Sequence, residues 1–221
     1  MSHLKFICCE VESAGAYTNA YLVVDTQQKT ALVIDPAGNA PKIEAQLAVF
    51  EAKPAAILLT HAHLDHIGAA KEFKETYHIP IYLGAGDEAL LSLSISLLNE
   101  IGEKAEPIAV DHWIQSEGPL SVGGFIVSAI PTPGHSKGSV CFYFPEEAVL
   151  FCGDTLFRES IGRTDFTPDF PMPEMQGDFS VLMNSLHHLL AILPDDTAVY
   201  TGHGPATTIG YERTHNPFLS Q

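Results

Sequence analysis

The feature that most restricts the fold of this chain is a dense group of ionisable side chains directly after an apolar run. Residues 56–60 read Ala-Ile-Leu-Leu-Thr and lead straight into His61, His63, Asp65 and His66. Burying three histidines and an aspartate at the end of a strand costs free energy unless they find a partner. A shared metal ion is such a partner, so we expect the fold to bring further ligands to this strand end.

Three further apolar runs end in the same way. The runs 125–130, 148–152 and 198–200 are followed within a few residues by His135, Asp154 and His203. Open α/β sheets bind their ligands outside the carboxyl ends of their strands. If the four strand ends lie along one edge, five histidines and two aspartates meet there.

The spacing inside the first group predicts where each pair of side chains points. His61 and His63 are two residues apart, so in an extended segment both point to the same side and can bind one metal ion. Asp65 and His66 are adjacent and would point to opposite sides of a strand. We therefore expect a strand-to-helix loop beginning around Asp65, which sends this second pair to a second point.

Seven donors suit a site for two metal ions. A catalytic zinc takes about three protein ligands and keeps one position open for water. We assign the donors to two sets of three and one bridging carboxylate: His61, His63 and His135; Asp65, His66 and His203; and Asp154. Two divalent ions about 3.5 to 4 Å apart lower the pKa of a shared water toward about 7 and polarise a carbonyl group. Zinc is the ion we expect by default, although iron and manganese also suit these ligands. Asp65 and Asp154 are the predicted catalytic carboxylates.

Apolar periodicity along the chain predicts a mixture of strands and helices in one domain, 1–221. Predicted helices cover residues 41–50, 68–77, 87–101 and 179–193. Predicted strands cover residues 20–24, 31–34, 55–59, 79–83, 125–130, 140–144, 148–152 and 198–200. Gly123-Gly124 and the segment 25–29 are typical of hairpin turns, so part of the sheet is expected to be antiparallel.

Composition excludes several classes of protein. The 27 acidic residues against 11 basic ones give a net charge of -16, which disfavours a nucleic-acid binder because phosphates need basic surface. No apolar run approaches the roughly 18 residues of a membrane span, and the N-terminus lacks the pattern of a secretory signal. The four cysteines form no spaced framework and are interpreted as reduced thiols, so we expect a soluble, cytoplasmic protein.

Several conspicuous residues have a structural interpretation instead. Cys152 is expected to pack in the core, because strand alternation turns it away from Asp154. The leucine-rich helix 87–101 is also expected to be core, with an exposed part that roofs the site or forms a dimer contact. Five histidines are expected to be surface or satisfied core residues: His3, His78, His112, His187 and His188.

The stretch Thr60-His-Ala-His-Leu-Asp-His-Ile-Gly68 resembles the H-x-H-x-D-H signature of the metallo-β-lactamase superfamily. His135, Asp154 and His203 follow in that family's order and contexts, so the resemblance spans nearly the whole chain. It implies an α+β fold of the αββα sandwich type, with two mixed β-sheets between helical layers. The metal ions are then expected at one edge of the sandwich.

Within that superfamily, three segments are similar to the glyoxalase II group, the hydroxyacylglutathione hydrolases: Pro133-Gly-His135-Ser, Cys152-Gly-Asp154-Thr and Thr201-Gly-His203-Gly. The ending 210–219 is similar to the short bacterial form of that group, without the C-terminal helical domain. The resemblance implies that S-D-lactoylglutathione, a small anionic thioester, is hydrolysed to D-lactate and glutathione by a metal-bridging hydroxide. Arg163 matches the lysine that contacts glutathione in the longer enzymes, whereas Asp165 stands where the family has a tyrosine.

Other activities of the same fold are alternatives. The persulfide dioxygenase branch shares the histidine-rich stretch but binds one iron through residues that match His61, His135 and Asp154. Metal-dependent lactonases or esterases are a further alternative. Class B β-lactamases fit less well, because their common forms use a cysteine ligand and a secretory signal. A non-enzymatic metal-binding or redox-sensing module does not account for the open coordination positions of such a site.

Overall fold

Two six-stranded sheets form the centre of the structure, a computed structural model that describes residues 3–166 and 172–219. The first sheet contains, in spatial order, β1 (Leu4–Ser13), β2 (Ala16–Asp25), β3 (Thr30–Ile34), β4 (Lys53–Leu58), β5 (Ile81–Gly84) and β6 (His112–Ile114). Strands β1 to β3 pair antiparallel, whereas β3 to β6 pair parallel. The sheet is therefore mixed.

The second sheet is also mixed. It contains, in spatial order, β14 (Thr207–Thr208), β13 (Ala198–Thr201), β10 (Val149–Gly153), β9 (Val140–Phe144), β8 (Phe125–Pro131) and β7 (Gly118–Val122). Strands β10 and β13 pair parallel and the other neighbours pair antiparallel. A separate short hairpin pairs β11 (Leu156–Phe157) with β12 (Ser160–Ile161).

Helices cover the outer faces of both sheets. They are α1 (Ala40–Val49), α2 (Leu64–Ile67), α3 (Ala70–Tyr77), α4 (Glu88–Glu100), α5 (Phe179–Ile192) and α6 (Ile209–His215). None of these helices is long and apolar enough to cross a membrane.

The alternation of side chains along β2 shows how the layers pack. Leu22 belongs to the same buried cluster as Ile43 of α1, whereas Val23 belongs to the cluster that contains Phe142 of the second sheet. The outer face of the second sheet packs on α5 through residues such as Leu186. Both faces of both sheets are thus buried, which gives the expected αββα sandwich.

Each predicted helix and strand corresponds to an observed element. Both predicted hairpin turns are confirmed, because 25–29 joins β2 to β3 and Gly123-Gly124 joins β7 to β8. Eight observed elements were not predicted from the sequence: β1, β6, β7, β11, β12, β14, α2 and α6. Most of these have two to five residues, too few to show a period, and β1 carries charged residues on its exposed side.

The cysteines and the remaining histidines behave as expected. Cys8 is exposed, and Cys9, Cys141 and Cys152 are buried free thiols. Cys152 lies in the core cluster under α5 rather than beside Asp154. The five histidines expected to be surface or satisfied core residues are exposed: His3, His78, His112, His187 and His188; His215, which also has no metal role, is exposed as well.

Candidate metal centre

The structure brings the predicted donors together from both sheets. Strand β4 of the first sheet ends at Leu58, and β8, β10 and β13 of the second sheet end at Pro131, Gly153 and Thr201. The residues that follow these four ends supply all seven side chains of one cluster: His61, His63, Asp65, His66, His135, Asp154 and His203. The strand-end rule therefore located the cluster correctly.

The first group consists of His61, His63 and His135. One nitrogen from each ring lies within 4.8 Å of the others, and all three residues are buried. His63 Nδ1 and His135 Nε2 face each other at 2.9 Å. Three imidazole nitrogens arranged in this way can bind one first-row divalent ion and leave a coordination position open for water.

The second group consists of Asp65, His66 and His203, whose donor atoms also lie within 4.8 Å of one another. His203 Nε2 is 3.2 Å from Asp65 Oδ2 and 3.4 Å from His66 Nε2. Asp65 and His66 belong to α2, which begins one residue after His63. The expected turn from strand to helix is therefore present, and it directs the second pair to a separate point.

Asp154 lies between the two groups. Its Oδ2 is 3.6 Å from His135 Nε2 of the first group and 3.4 Å from His203 Nε2 of the second. Its Oδ1 is 3.5 Å from His66 Nε2. One carboxylate therefore reaches both groups, which is the position that a bridging ligand requires.

Hydrogen bonds behind the rings fix which nitrogen points inward. In the neutral rings, His66 Nδ1 donates to Asp35 Oδ2 at 3.0 Å, His135 Nδ1 donates to the Arg163 carbonyl at 2.7 Å, and His203 Nδ1 donates to the Tyr17 carbonyl at 2.6 Å. Because each of these acceptors has no proton to give, the Nε2 lone pair of each ring is left facing the centre. Such outer contacts orient metal ligands in proteins.

The orientation of His61 is fixed by Asp35 as well, through the hydroxyl group of Thr60. The single hydroxyl proton of Thr60 goes to Asp35 Oδ2 at 2.6 Å, so the hydroxyl oxygen accepts a proton from His61 Nδ1 at 3.0 Å. His61 Nε2 then also presents its lone pair to the centre. It is buried and has no hydrogen-bond partner in the described residues, and the same holds for His63 Nε2 and Asp154 Oδ1.

These unpaired atoms fit a metal site. Leaving a buried polar atom without a partner costs about 1 to 3 kcal/mol. A cation bound by His61 Nε2 and by the Asp154 carboxylate would remove that cost at both residues. The residues present therefore suit one divalent ion at each three-donor group.

The electrostatics of the second group also favour positive charge. Burial lowers the pKa of His203, but the carboxylates of Asp154 and Asp65 outweigh it and raise that pKa to about 10. Burial raises the pKa of Asp65, but His66 and His203 outweigh it and bring it to about 2. Near pH 7 the second group therefore holds an extra proton on His203, which supplies positive charge in the absence of a metal ion. Binding of a metal ion to His203 would release this proton.

The first group has the opposite character. Burial lowers the pKa of His63 to about 3, with the neighbouring His135 acting in the same direction. Burial also holds the pKa of His61 well below its usual value. These rings are therefore neutral near pH 7, which is the form that binds metal ions.

Two buried carboxylates that the sequence reading did not select hold the ligand loops. Asp35 accepts from Thr60 N at 2.7 Å as well as from the Thr60 hydroxyl and His66. Asp87 accepts from Ala62 N at 2.9 Å and from Gly138 N at 2.6 Å. Both follow strand ends, of β3 and of β5, so the rule that located the ligands also pointed to them.

A cavity of about 430 Å³ opens beside the cluster. His63, Asp65, His135 and Asp154 line its inner end. Arg163, the predicted substrate contact, lines it as well, together with Phe166 and with Leu97 and Ile101 at the end of α4. The C-terminal end of the leucine-rich helix therefore forms one wall of this cavity.

Comparison with known proteins agrees with this geometry. The family model described as the metallo-beta-lactamase superfamily matches residues 14–203, which include all seven clustered side chains. The chain is 40% identical over 206 residues to a probable metallo-hydrolase, YqgX, of Bacillus subtilis, covering 91% of this chain and 92% of that one. It is 34% identical to the hydroxyacylglutathione hydrolase GloC of Haemophilus influenzae, covering 91% of this chain and 92% of that one.

Two solved structures are similar throughout. The B3 metallo-beta-lactamase BLEG-1 is 39% identical with a TM-score of 0.86, covering 98% of this chain and all of the other. TTHA1623, crystallised in a di-iron-bound form, is 35% identical with a TM-score of 0.79, covering 96% of this chain and all of the other.

Proposed function

The chain belongs to the metallo-β-lactamase superfamily and is a metallo-hydrolase, and from that premise we propose that it hydrolyses a glutathione thioester, S-D-lactoylglutathione, to D-lactate and glutathione. The observation that carries the proposal is Asp154, whose carboxylate lies between two groups of three donors. A centre for two ions would both lower the pKa of a shared water and polarise the carbonyl that this water attacks. The similarity to GloC supports the substrate.

The chain's own residues have distinct parts in such a reaction. Two divalent ions bound at the groups would supply a water of lowered pKa and would polarise the thioester carbonyl. The inward lone pairs and Asp154 hold that centre in place, and the hydrogen bonds behind the rings prevent its rearrangement. The leaving thiolate is stable near neutral pH, so no side chain has to protonate it. Arg163 lines the cavity where a carboxylate of glutathione would lie.

Zinc is the ion we propose by default, and iron is supported by the di-iron form of TTHA1623. The deciding experiment combines elemental analysis of the purified protein with a thioesterase assay on S-lactoylglutathione. We expect close to two metal ions per chain and release of glutathione. One iron per chain together with oxygen consumption on glutathione persulfide would replace this proposal with a dioxygenase. Two metal ions without thioesterase activity would favour a lactone or another ester.

A β-lactam is a second candidate substrate because of BLEG-1. That protein is named a B3 metallo-beta-lactamase and is 39% identical to this chain, although the common class B enzymes fit the sequence less well. Hydrolysis of a chromogenic cephalosporin, measured beside the thioester, separates the two. The substrate with the larger kcat/KM identifies the activity.

Replacing Arg163 by alanine is expected to raise KM for S-lactoylglutathione about tenfold with little change in kcat. A partly exposed guanidinium that binds a carboxylate contributes roughly that much to ground-state binding. Arg213→Ala is the matched control, because Arg213 is also exposed but is paired with Asp195 at 2.9 Å away from the cavity. An unchanged KM in Arg163→Ala would contradict the predicted contact with the substrate carboxylate.

Replacing Asp35 by asparagine is expected to weaken binding of the more weakly held metal ion roughly tenfold. An amide cannot accept from His66 and from both donors of Thr60 at once, so His66 loses its fixed orientation. Competition with a chromophoric chelator measures the affinity. Asp25→Asn is the control, since Asp25 is also a buried strand-end carboxylate, but it accepts from the N–H groups of Gln27 and Gln28 and pairs with His3 at 3.2 Å. Equal affinities in the two variants would show that Asp35 does not orient His66.

A further inference from the structure

The outer wall of the cavity has a chemical character that the hydrolytic step does not require. Leu97 and Ile101, on the last turn of α4 and just after it, line this wall together with Met175. Leu97 and Met175 are buried in the same core cluster as the helices of the first sheet, and Phe166 packs against that cluster. The wall is therefore a fixed apolar surface that is continuous with the core.

Positive charge is scarce along the same cavity. Of the chain's eleven basic residues, all within the described ranges, Arg163 alone lines it. The Arg163 Nε donates to the Asp165 carbonyl at 2.7 Å, and its guanidinium lies 5.2 Å from the centre of the Phe166 ring. The end of α4 contributes a carboxylate, Glu100. One anionic group of a substrate can therefore be matched near Arg163, but not along α4.

We infer that, among glutathione thioesters, the protein prefers those whose acyl group is a hydrocarbon chain of several carbons, which lies against Leu97 and Ile101. The inference rests on the proposed thioester hydrolysis. In this placement the thioester carbonyl lies at the metal centre, a glutathione carboxylate lies near Arg163, and the acyl group lies against the end of α4. Hydrocarbon chains then gain burial that the short, polar lactoyl group does not.

The first test is a series of glutathione thioesters that differ only in the acyl group. We expect kcat/KM of the metal-loaded protein to rise about threefold per methylene from S-acetyl- to S-butyryl- to S-hexanoylglutathione, and to exceed that for S-lactoylglutathione. Values that stay flat or fall along the series would overturn the inference while leaving the hydrolysis intact. No hydrolysis of any thioester would overturn both.

Two surface variants of α4 test the position of the acyl chain. Ile101→Asn is expected to abolish the dependence on chain length, and Val49→Asn is its control, because both side chains are exposed apolar residues at helix ends, at 57% and 70%. Glu100→Lys is expected to raise kcat/KM for S-succinylglutathione about tenfold relative to S-butyrylglutathione, with Glu88→Lys as control. An unchanged length dependence in Ile101→Asn would overturn the placement.

A binding measurement tests the same wall without turnover. S-hexylglutathione and S-methylglutathione are thioethers that cannot be hydrolysed, and calorimetry gives their affinities for the metal-free protein. We expect the hexyl compound to bind at least tenfold more tightly, and Ile101→Asn to remove most of that difference. Equal affinities of the two compounds for the unaltered protein would overturn the inference.

Discussion

Replacing Asp154 by alanine is expected to lower kcat for S-lactoylglutathione about 10³-fold or more and to reduce the metal content below two ions per chain. Asp154 is the carboxylate that reaches both donor groups, at 3.6 Å from His135 Nε2 and 3.4 Å from His203 Nε2. Its removal deprives the centre of the negative charge that holds two cations close together. A loss of about 4 kcal/mol in transition-state stabilisation corresponds to that change in rate.

Steady-state kinetics and elemental analysis of the same preparation check this expectation. Asp196→Ala is the matched control, because Asp196 is exposed in the turn before β13 and belongs to neither donor group. We expect it to keep two metal ions and an unchanged kcat. An Asp154→Ala protein with full metal content and a normal rate would show that Asp154 does not bridge.

Replacing Gly202 by alanine is expected to lower kcat/KM about 100-fold although no donor is removed. A Cβ at this position would overlap Asp154 Oδ1 and lie 2.8 Å from His66 Cε1. The backbone cannot withdraw freely, because Gly202 N donates to the Gly153 carbonyl at 2.8 Å and the Gly202 carbonyl accepts from Asn19 N at 2.8 Å. The ligands must move instead, and a misplacement of about 1 Å costs roughly that factor in rate.

Gly38→Ala is the matched control for this substitution. A Cβ on Gly38 would meet its nearest neighbour, the Glu12 carbonyl oxygen, at 3.4 Å, which is an ordinary contact. We expect both variants to unfold at similar temperatures, as measured by circular dichroism. A lower kcat/KM in Gly202→Ala is then caused by displaced donor side chains and not by unfolding. If Gly202→Ala kept the rate and the metal content of the unaltered protein, close approach of this backbone to Asp154 would not matter.

The sequence predicted well which side chains would cluster, because the signal of the first group is local. His61 and His63 are two residues apart on an extended segment, so both side chains lie on the same side of that segment. This does not depend on how the rest of the chain folds. The hairpin at Gly123-Gly124 was equally predictable, since both glycines adopt positive φ, at 57° and 91°. In contrast, the two-residue strand β11 shows no period in the sequence.

Asp35 and Asp87 mark the limit of the sequence reading. Each follows a strand end, but a single aspartate after an apolar run most often closes a turn. What distinguishes them is the set of donors that reach them: Asp87 accepts from Gly138, which is 51 residues away, and Asp35 from His66, which is 31 residues away. No local pattern encodes which distant N–H group will approach a given carboxylate.

The sequence by itself predicted most strands and helices, the strand ends and the seven side chains that cluster there, because strand alternation and motif spacing act over a few residues, whereas the αββα layering was predicted from the resemblance to the superfamily. Only the tertiary structure decided that Asp154 lies between the two groups, and that the end of α4 forms an apolar wall beside them. It also decided that His203 is oriented by the carbonyl of Tyr17, 186 residues away. These features depend on how remote elements pack, which the hydrophobic contacts of the whole sandwich determine.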